Sequence, residues 1–195
     1  MRVFVDTEFT DFIQIDLIAI GLVAEDGREF YAERNDYRRE DCSDFVRAYV
    51  LPLLGRVKDA SCTAQELTLR LHAWFASLGQ SVTLVFDYAS DWDLLADALQ
   101  GEDGQPLPSN LGEKWLLTSE VIGDSVFQQT MAATYSADWP PHHALADARA
   151  LRSGFLIMEA GCVSLGRYKS FLTASFDPLN LPQVIRIEAL LRCFL

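Results

Sequence analysis

Two carboxylates stand one residue apart at the end of an apolar run: Arg2-Val3-Phe4-Val5 reads as a strand leading into Asp6-Thr7-Glu8. Side chains alternate along a strand, so Asp6 and Glu8 share a face, about 7 Å apart. Two acids in that position repel each other and resist desolvation, and a cation between them offsets both costs. The plain alternative is a solvated strand end opening a loop. Two later segments also put acids at element boundaries. In Phe86-Asp87-Tyr88-Ala89-Ser90-Asp91-Trp92-Asp93-Leu94-Leu95, Asp91 follows a buried-looking strand and opens a helix, where unpaired amides favour a carboxylate. A helix cap alone would account for Asp91, and Asp87 and Asp93 read equally well as solvated neighbours. In His142-His143-Ala144-Leu145-Ala146-Asp147-Ala148, Asp147 sits early in a helix among alanines that permit close approach to a sheet. Five residues separate His142 from Asp147, about 140° on a helix, so the two meet only if His142 lies on the preceding loop. Pro140-Pro141 favours that, because the helix can hardly begin before the pair.

These residues must be positioned by strands and helices with their own signals. Asp16–Ala24 is a second strand, too continuously apolar to have one wet face. Glu25-Asp26-Gly27 carries a hairpin signal and Arg28–Glu33 returns as a third strand, so the chain opens as an antiparallel meander. Ser43–Leu54 reads as a helix with Ser43 as cap. A stronger helix follows Thr63, where Thr63-Ala64-Gln65-Glu66 matches a capping box, Leu67, Leu71, Trp74, Phe75 and Leu78 form a stripe, and Gly79 ends it. Ser81–Tyr88 is a fourth strand and Asp91–Gln100 a helix. Gly101–Gly112 is a loop, Lys114–Val121 holds a fifth strand, and Phe127–Ala133 is ambiguous between strand and helix. His142–Gly161 is a long helix, and the last thirty or so residues form one or two more, broken around Asp177-Pro178 and Leu181-Pro182.

The 195 residues suit one α/β domain, 1–195, with a core over about 1–162 and a C-terminal helical extension over about 163–195. Half the residues are hydrophobic, which argues against disorder. The formal net charge of -12, from 28 acids against 16 Lys and Arg, argues against a tight, sequence-independent nucleic-acid binder; Arg38-Arg39, Arg149 and Arg152 are the candidates for any basic groove. It leaves room for an enzyme that grips a few nucleotides through metal ions. Cys42, Cys62, Cys162 and Cys193 are far apart, which argues against zinc and for reduced thiols. No leader or membrane span is indicated, so a cytoplasmic location is expected.

Together, Asp6-Thr7-Glu8 on the first strand, Asp91-x-x-Leu94-Leu95 at a strand-to-helix turn, and His142-x-Ala144-Leu145-x-Asp147-Ala148 on a late helix resemble the DEDDh exonucleases of the ribonuclease-T-like (DnaQ-like) superfamily. The motifs come in order and span about three quarters of the chain. Asp6-Thr7-Glu8-Phe9 and the run Ala144–Arg149 bring the likeness closest to small stand-alone bacterial 3′–5′ exoribonucleases. The resemblance implies a ribonuclease-H-like mixed sheet, the antiparallel opening followed by parallel strands and flanked by helices. It matches Asp6, Glu8, Asp91 and Asp147 to the four acids and His142 to the histidine. The second motif departs from the commoner His-Asn-x-x-Phe-Asp form, and the spacing to Leu94-Leu95 is what selects Asp91 over Asp87 or Asp93. Asp11 stands where a glycine often follows the first motif.

The resemblance further implies hydrolysis of single-stranded RNA or 3′ overhangs to nucleoside 5′-monophosphates with two Mg²⁺ or Mn²⁺ ions, Asp6 bridging both, Glu8 and Asp147 completing one and Asp91 helping the other. Four carboxylates match the charge of two such hard cations. His142, with a reference pKa near 6.5, would be the general base. The backbone at Thr7 and Phe9 would meet the terminal sugar, and the ring of Phe9 or Trp92 would stack on a base, unless these aromatics belong to the core. Dimers are common in that superfamily, so a homodimer is expected. Competing readings are a DNA exonuclease of the same kind, a non-catalytic module binding nucleotide ends, and a phosphoesterase for small nucleotides.

Overall fold

A computed structural model describes residues 1–164 and 173–175. Seven strands form one mixed sheet: β1 (Arg2–Phe9), β2 (Leu17–Ala24), β3 (Glu29–Arg34), β4 (Ser61–Cys62), β5 (Val82–Phe86), β6 (Leu111–Leu117) and β7 (Thr173–Ser175), in the order β4-β3-β2-β1-β5-β6-β7. β1, β2 and β3 are antiparallel, whereas β5 joins β1, and β6 joins β5, in parallel. β4 adds to β3 in parallel and β7 to β6 antiparallel. This is the α/β arrangement expected of a ribonuclease-H-like sheet.

Helices cover both faces. On one, α1 (Ala64–Leu78) and α2 (Ala89–Gln100) bury Leu67, Leu71, Phe75, Leu95 and Leu99 against Val3, Val5, Leu22 and Leu84. On the other, α3 (Ser119–Ile122), α4 (Ser125–Thr134) and α5 (Ala144–Ser164) pack Val121, Phe127, Leu151 and Phe155 against Phe4 and Val85. Every residue of β2 is buried, because both of its faces are covered.

Local signals act as expected in the first half. Thr63 and Glu66 form the capping box of α1, and Gly79 ends it at φ 67°. Gly27 takes φ 92° in the hairpin between β2 and β3. Ser43 Oγ accepts from the Val46 N–H at 3.3 Å, yet a regular helix over 43–54 does not form. A wide π turn over Val46–Val50 tightens into a 3-10 turn at Leu51–Leu53, since Pro52 has no N–H with which to continue an α ladder. α2 begins two residues earlier than the sequence suggests. The strand expected over Lys114–Val121 runs over Leu111–Leu117, and the ambiguous Phe127–Ala133 is part of a helix capped by Asp124. α5 starts at Ala144 rather than His142. The breaks at Asp177-Pro178 and Leu181-Pro182 lie outside the described residues. No helix among the described residues is long and apolar enough to cross a membrane.

Candidate active site

β1 is where the sheet changes sense: its antiparallel neighbour β2 lies on one side and its parallel neighbour β5 on the other. In open α/β sheets the carboxyl ends of strands at such a switch point form a crevice. Phe4 faces α5 while Val3 and Val5 face α1 and α2. Alternation therefore continues Phe4 into Asp6 and Glu8 on the α5 side.

The start of α5 reaches this face because Gly21, paired with Asp6 across the β1–β2 ladder, has no side chain. A Cβ there would lie 2.3 Å from the Ala144 carbonyl oxygen and 2.5 Å from the Leu145 nitrogen. The first turn of α5 therefore rests on the sheet backbone directly beside Asp6. Burial of Ala144 and Ala148 keeps that contact close.

The fold brings Asp6, Glu8, Asp91, His142 and Asp147 together, and adds Asp87. The ligand atoms of Glu8, His142 and Asp147 all lie within 4.8 Å of one another, and so do those of Asp6, Asp87 and Asp91. His142 does lie on the loop before α5, at φ 66°, a left-handed conformation that is uncommon for a side chain. Its N–H donates to Asp147 Oδ2 at 2.8 Å, so the strained loop and the carboxylate hold each other. Asp147 Oδ1 accepts from the Tyr135 hydroxyl at 2.6 Å.

Asp91 is not a helix cap. It occupies the first turn of α2, is only 2% exposed, and its Oδ1 accepts from the Thr7 N–H at 3.1 Å and the Thr7 hydroxyl at 2.7 Å. Thr7 thus spends its N–H and its hydroxyl on fixing Asp91. The opposite oxygen, Asp91 Oδ2, and Asp6 Oδ2 are buried with no hydrogen-bond partner among the described residues. No ion pair to Lys or Arg among the described residues involves Asp6, Glu8, Asp91 or Asp147.

Burial and mutual repulsion push the carboxyl groups upward. Asp6, Glu8 and Asp91 are raised well above the usual range, chiefly by desolvation and then by neighbouring carboxylates. Asp147 is raised to about 7 by burial, although its two hydrogen bonds oppose the shift. Orphaned carboxylate oxygens beside an excess of negative charge fit hard divalent cations such as Mg²⁺ or Mn²⁺, which prefer oxygen donors.

The two adjacent histidines have separate surroundings. Desolvation holds His142 below its ordinary pKa; its ring meets Phe45 edge-on at 5.0 Å and lies 6.2 Å from Tyr49. Phe45 and Tyr49 are themselves solvent-exposed. His143 is 2% exposed, stacked on Tyr31 at 4.6 Å and edge-on to Trp139, and its pKa falls to about 4 through burial. Its carbonyl accepts from the Ala146 and Asp147 N–H groups, opening α5.

Among the expected base-contacting residues, Phe9 stacks on Tyr88 at 6.4 Å and meets Phe12 edge-on, forming a cluster beside Glu8 and Asp87 in the chain. Trp92 is a core residue instead. It is 6% exposed and the Lys114 ammonium lies 4.6 Å from its ring centroid, so it offers a base no free face. Two of the four candidates for a basic groove are neutralised: Arg149 forms a two-pronged pair with Glu29, and Arg38 pairs with Asp41. Sequence reasoning missed Tyr135, Gly21, Phe45 and Tyr49. Only the last two left a local trace, as aromatics four residues apart in a segment that buries Val46 and Val50.

The chain is thus an α/β protein with a ribonuclease-H-like sheet and a cluster of buried carboxylates at its switch point. No family model matches the chain. Over 55 residues it is 53% identical to a 3′–5′ exoribonuclease of Mycobacterium tuberculosis strain CDC 1551 / Oshkosh, and equally to that of strain ATCC 25618 / H37Rv. The match covers 28% of this chain, which spans about a third (33%) of the length of these curated relatives. That segment is what the chain is similar to in these exoribonucleases.

Proposed function

We propose that the chain is a 3′–5′ exoribonuclease that removes nucleoside 5′-monophosphates from single-stranded RNA ends with two Mg²⁺ or Mn²⁺ ions. The observation that carries the reading is the convergence of Asp6, Asp87 and Asp91 beside Glu8 and Asp147, with His142 at their edge, in which two buried carboxylate oxygens lack a partner among the described residues. The named segment shared with exoribonucleases supports the choice of reaction and of RNA.

In this reading Asp6, Glu8, Asp91 and Asp147 hold the ions, which supply charge neutralisation at the attacking and leaving oxygens of an in-line displacement. Thr7 fixes Asp91 and Tyr135 fixes Asp147, so both carboxylates are preset before substrate arrives. His142 accepts the proton of the attacking water, and its depressed pKa keeps the ring neutral near pH 7. Phe45 and Tyr49 offer exposed rings beside His142 on which a base can stack.

The test is a ladder assay on matched RNA and DNA, 5′-labelled, with Mg²⁺, Mn²⁺ or EDTA. Stepwise shortening of RNA that EDTA stops is expected. Equal cutting of DNA would make the enzyme a DNA exonuclease, binding without cutting would make it an end-binding module, and internal cuts would sink the mechanism.

A further inference from the structure

The β1–β5 register pairs Arg2 with Thr83, Val3 with Leu84 and Phe4 with Val85. Two residues further along the same register, Asp87 falls beside Asp6, immediately past the end of β5. α2 then starts at Ala89 and returns Asp91 to the same point from its first turn. Strand register and helix start thus converge three carboxylates, with oxygens within 4.8 Å of one another.

We propose that Asp87 is a fifth carboxylate of the centre and a direct ligand of the ion held by Asp6 and Asp91, making this half the tighter of two cation sites. The proposal rests on the metal-dependent reading above and extends it by one ligand. Clustered acids alone would not carry it. The independent observation is Asp91, which is 2% exposed, bound by Thr7 through Oδ1, and left with Oδ2 buried and unpartnered within the cluster. Asp6 Oδ2 is in the same condition. A carboxylate serving only as a solvated loop residue would repel its neighbours and add nothing. As a ligand it supplies a third anionic oxygen donor, the kind that hard divalent ions select.

The test uses the full chain and titrates Mn²⁺ by calorimetry and electron paramagnetic resonance, with no RNA present. The native protein should bind two ions with separable affinities. Asp87→Asn should weaken the tighter site by about 1,000-fold, above the ~10–100-fold typical of losing an outer-shell partner, and leave the weaker one unchanged. Asp147→Asn should do the reverse. Asp87→Asn should also raise the Tm of the metal-free protein, because a like charge is removed, while shrinking the Mn²⁺-induced rise. If Asp87→Asn binds both ions as the native chain does, or loses both equally, Asp87 is not this ligand, although the exonuclease reading stands. A native chain that binds no Mn²⁺ overturns both.

Discussion

The two halves of the acidic centre are satisfied in different ways. On the sheet side, Asp6 and Asp91 each keep a buried oxygen with no partner among the described residues, even though Thr7 anchors Asp91 twice. On the α5 side, Asp147 uses one oxygen for Tyr135 and the other for the His142 N–H. A carboxylate has about four lone-pair sites, so Asp147 can still accept a cation, but it does not depend on one for its position. In the proposed reading a cation completes the sheet half. The α5 half is set by the protein, through a strained loop and a tyrosine, and in the same reading carries the base, His142.

The largest effect should come from Asp6, which the proposed two-ion mechanism shares between the halves. Asp6→Asn removes a carboxylate next to every other acid of the centre, and should abolish RNA shortening in the ladder assay and weaken Mn²⁺ binding at both sites. Residual turnover above about one part in 10³ would show that the halves do not share Asp6.

Within the α5 half, the adjacent histidines should separate. His142→Ala should lower kcat by roughly 10²–10⁴ while Mn²⁺ and RNA binding persist. His143→Ala empties the space between Tyr31 and Trp139, so it should lower stability by about 1–3 kcal/mol with a much smaller loss of kcat. The reverse order would assign the proton transfer to the wrong ring.

Tyr135→Phe should be milder, since it deletes one hydrogen bond to Asp147 and leaves the other. Mn²⁺ affinity at the weaker site should fall about 10-fold, with the tighter site untouched. An unchanged titration would mean that the His142 N–H alone orients Asp147.

The smallest effect concerns pH in the absence of metal. Asp147 titrates near 7 in the folded protein against 3.8 as its ordinary value, so the native state binds more protons than the unfolded chain between those limits. Its contribution to stability is fully present below about pH 4 and is lost as pH rises through about 7. Asp6, Glu8 and Asp91 shift in the same direction. The Tm in EDTA should therefore fall between pH 5 and 8, and saturating Mn²⁺ should flatten the slope. A Tm that climbs with pH in EDTA would contradict the burial, and the mutual repulsion, of these carboxylates.

Much of the centre was legible because its signals are local. Alternation along a strand put Asp6 and Glu8 on one face, Pro140-Pro141 kept His142 out of the helix, and the capping box and Asp-Gly turn fixed their own elements within a few residues. Chain spacing could not show that Thr7 would grip Asp91 across 84 residues, or Tyr135 grip Asp147 across 12. The spacing to Leu94-Leu95 selected Asp91 over Asp87 and Asp93, but it could not show that Asp87 would also lie beside Asp6, where the β1–β5 register brings it. Trp92 and Phe45 are both aromatic in the sequence, yet one is buried beneath Lys114 and the other exposed beside His142, a difference that exists only once the helices have packed. Gly21 shows the limit most plainly: nothing near it in the chain asks for a glycine, and its reason is the backbone of Ala144, 123 positions away, lying where a side chain would be. Periodicity and turn chemistry act over a few bonds, so the sequence alone determines elements and their faces. Which faces meet, and which carboxylate is left without a partner, is settled by packing.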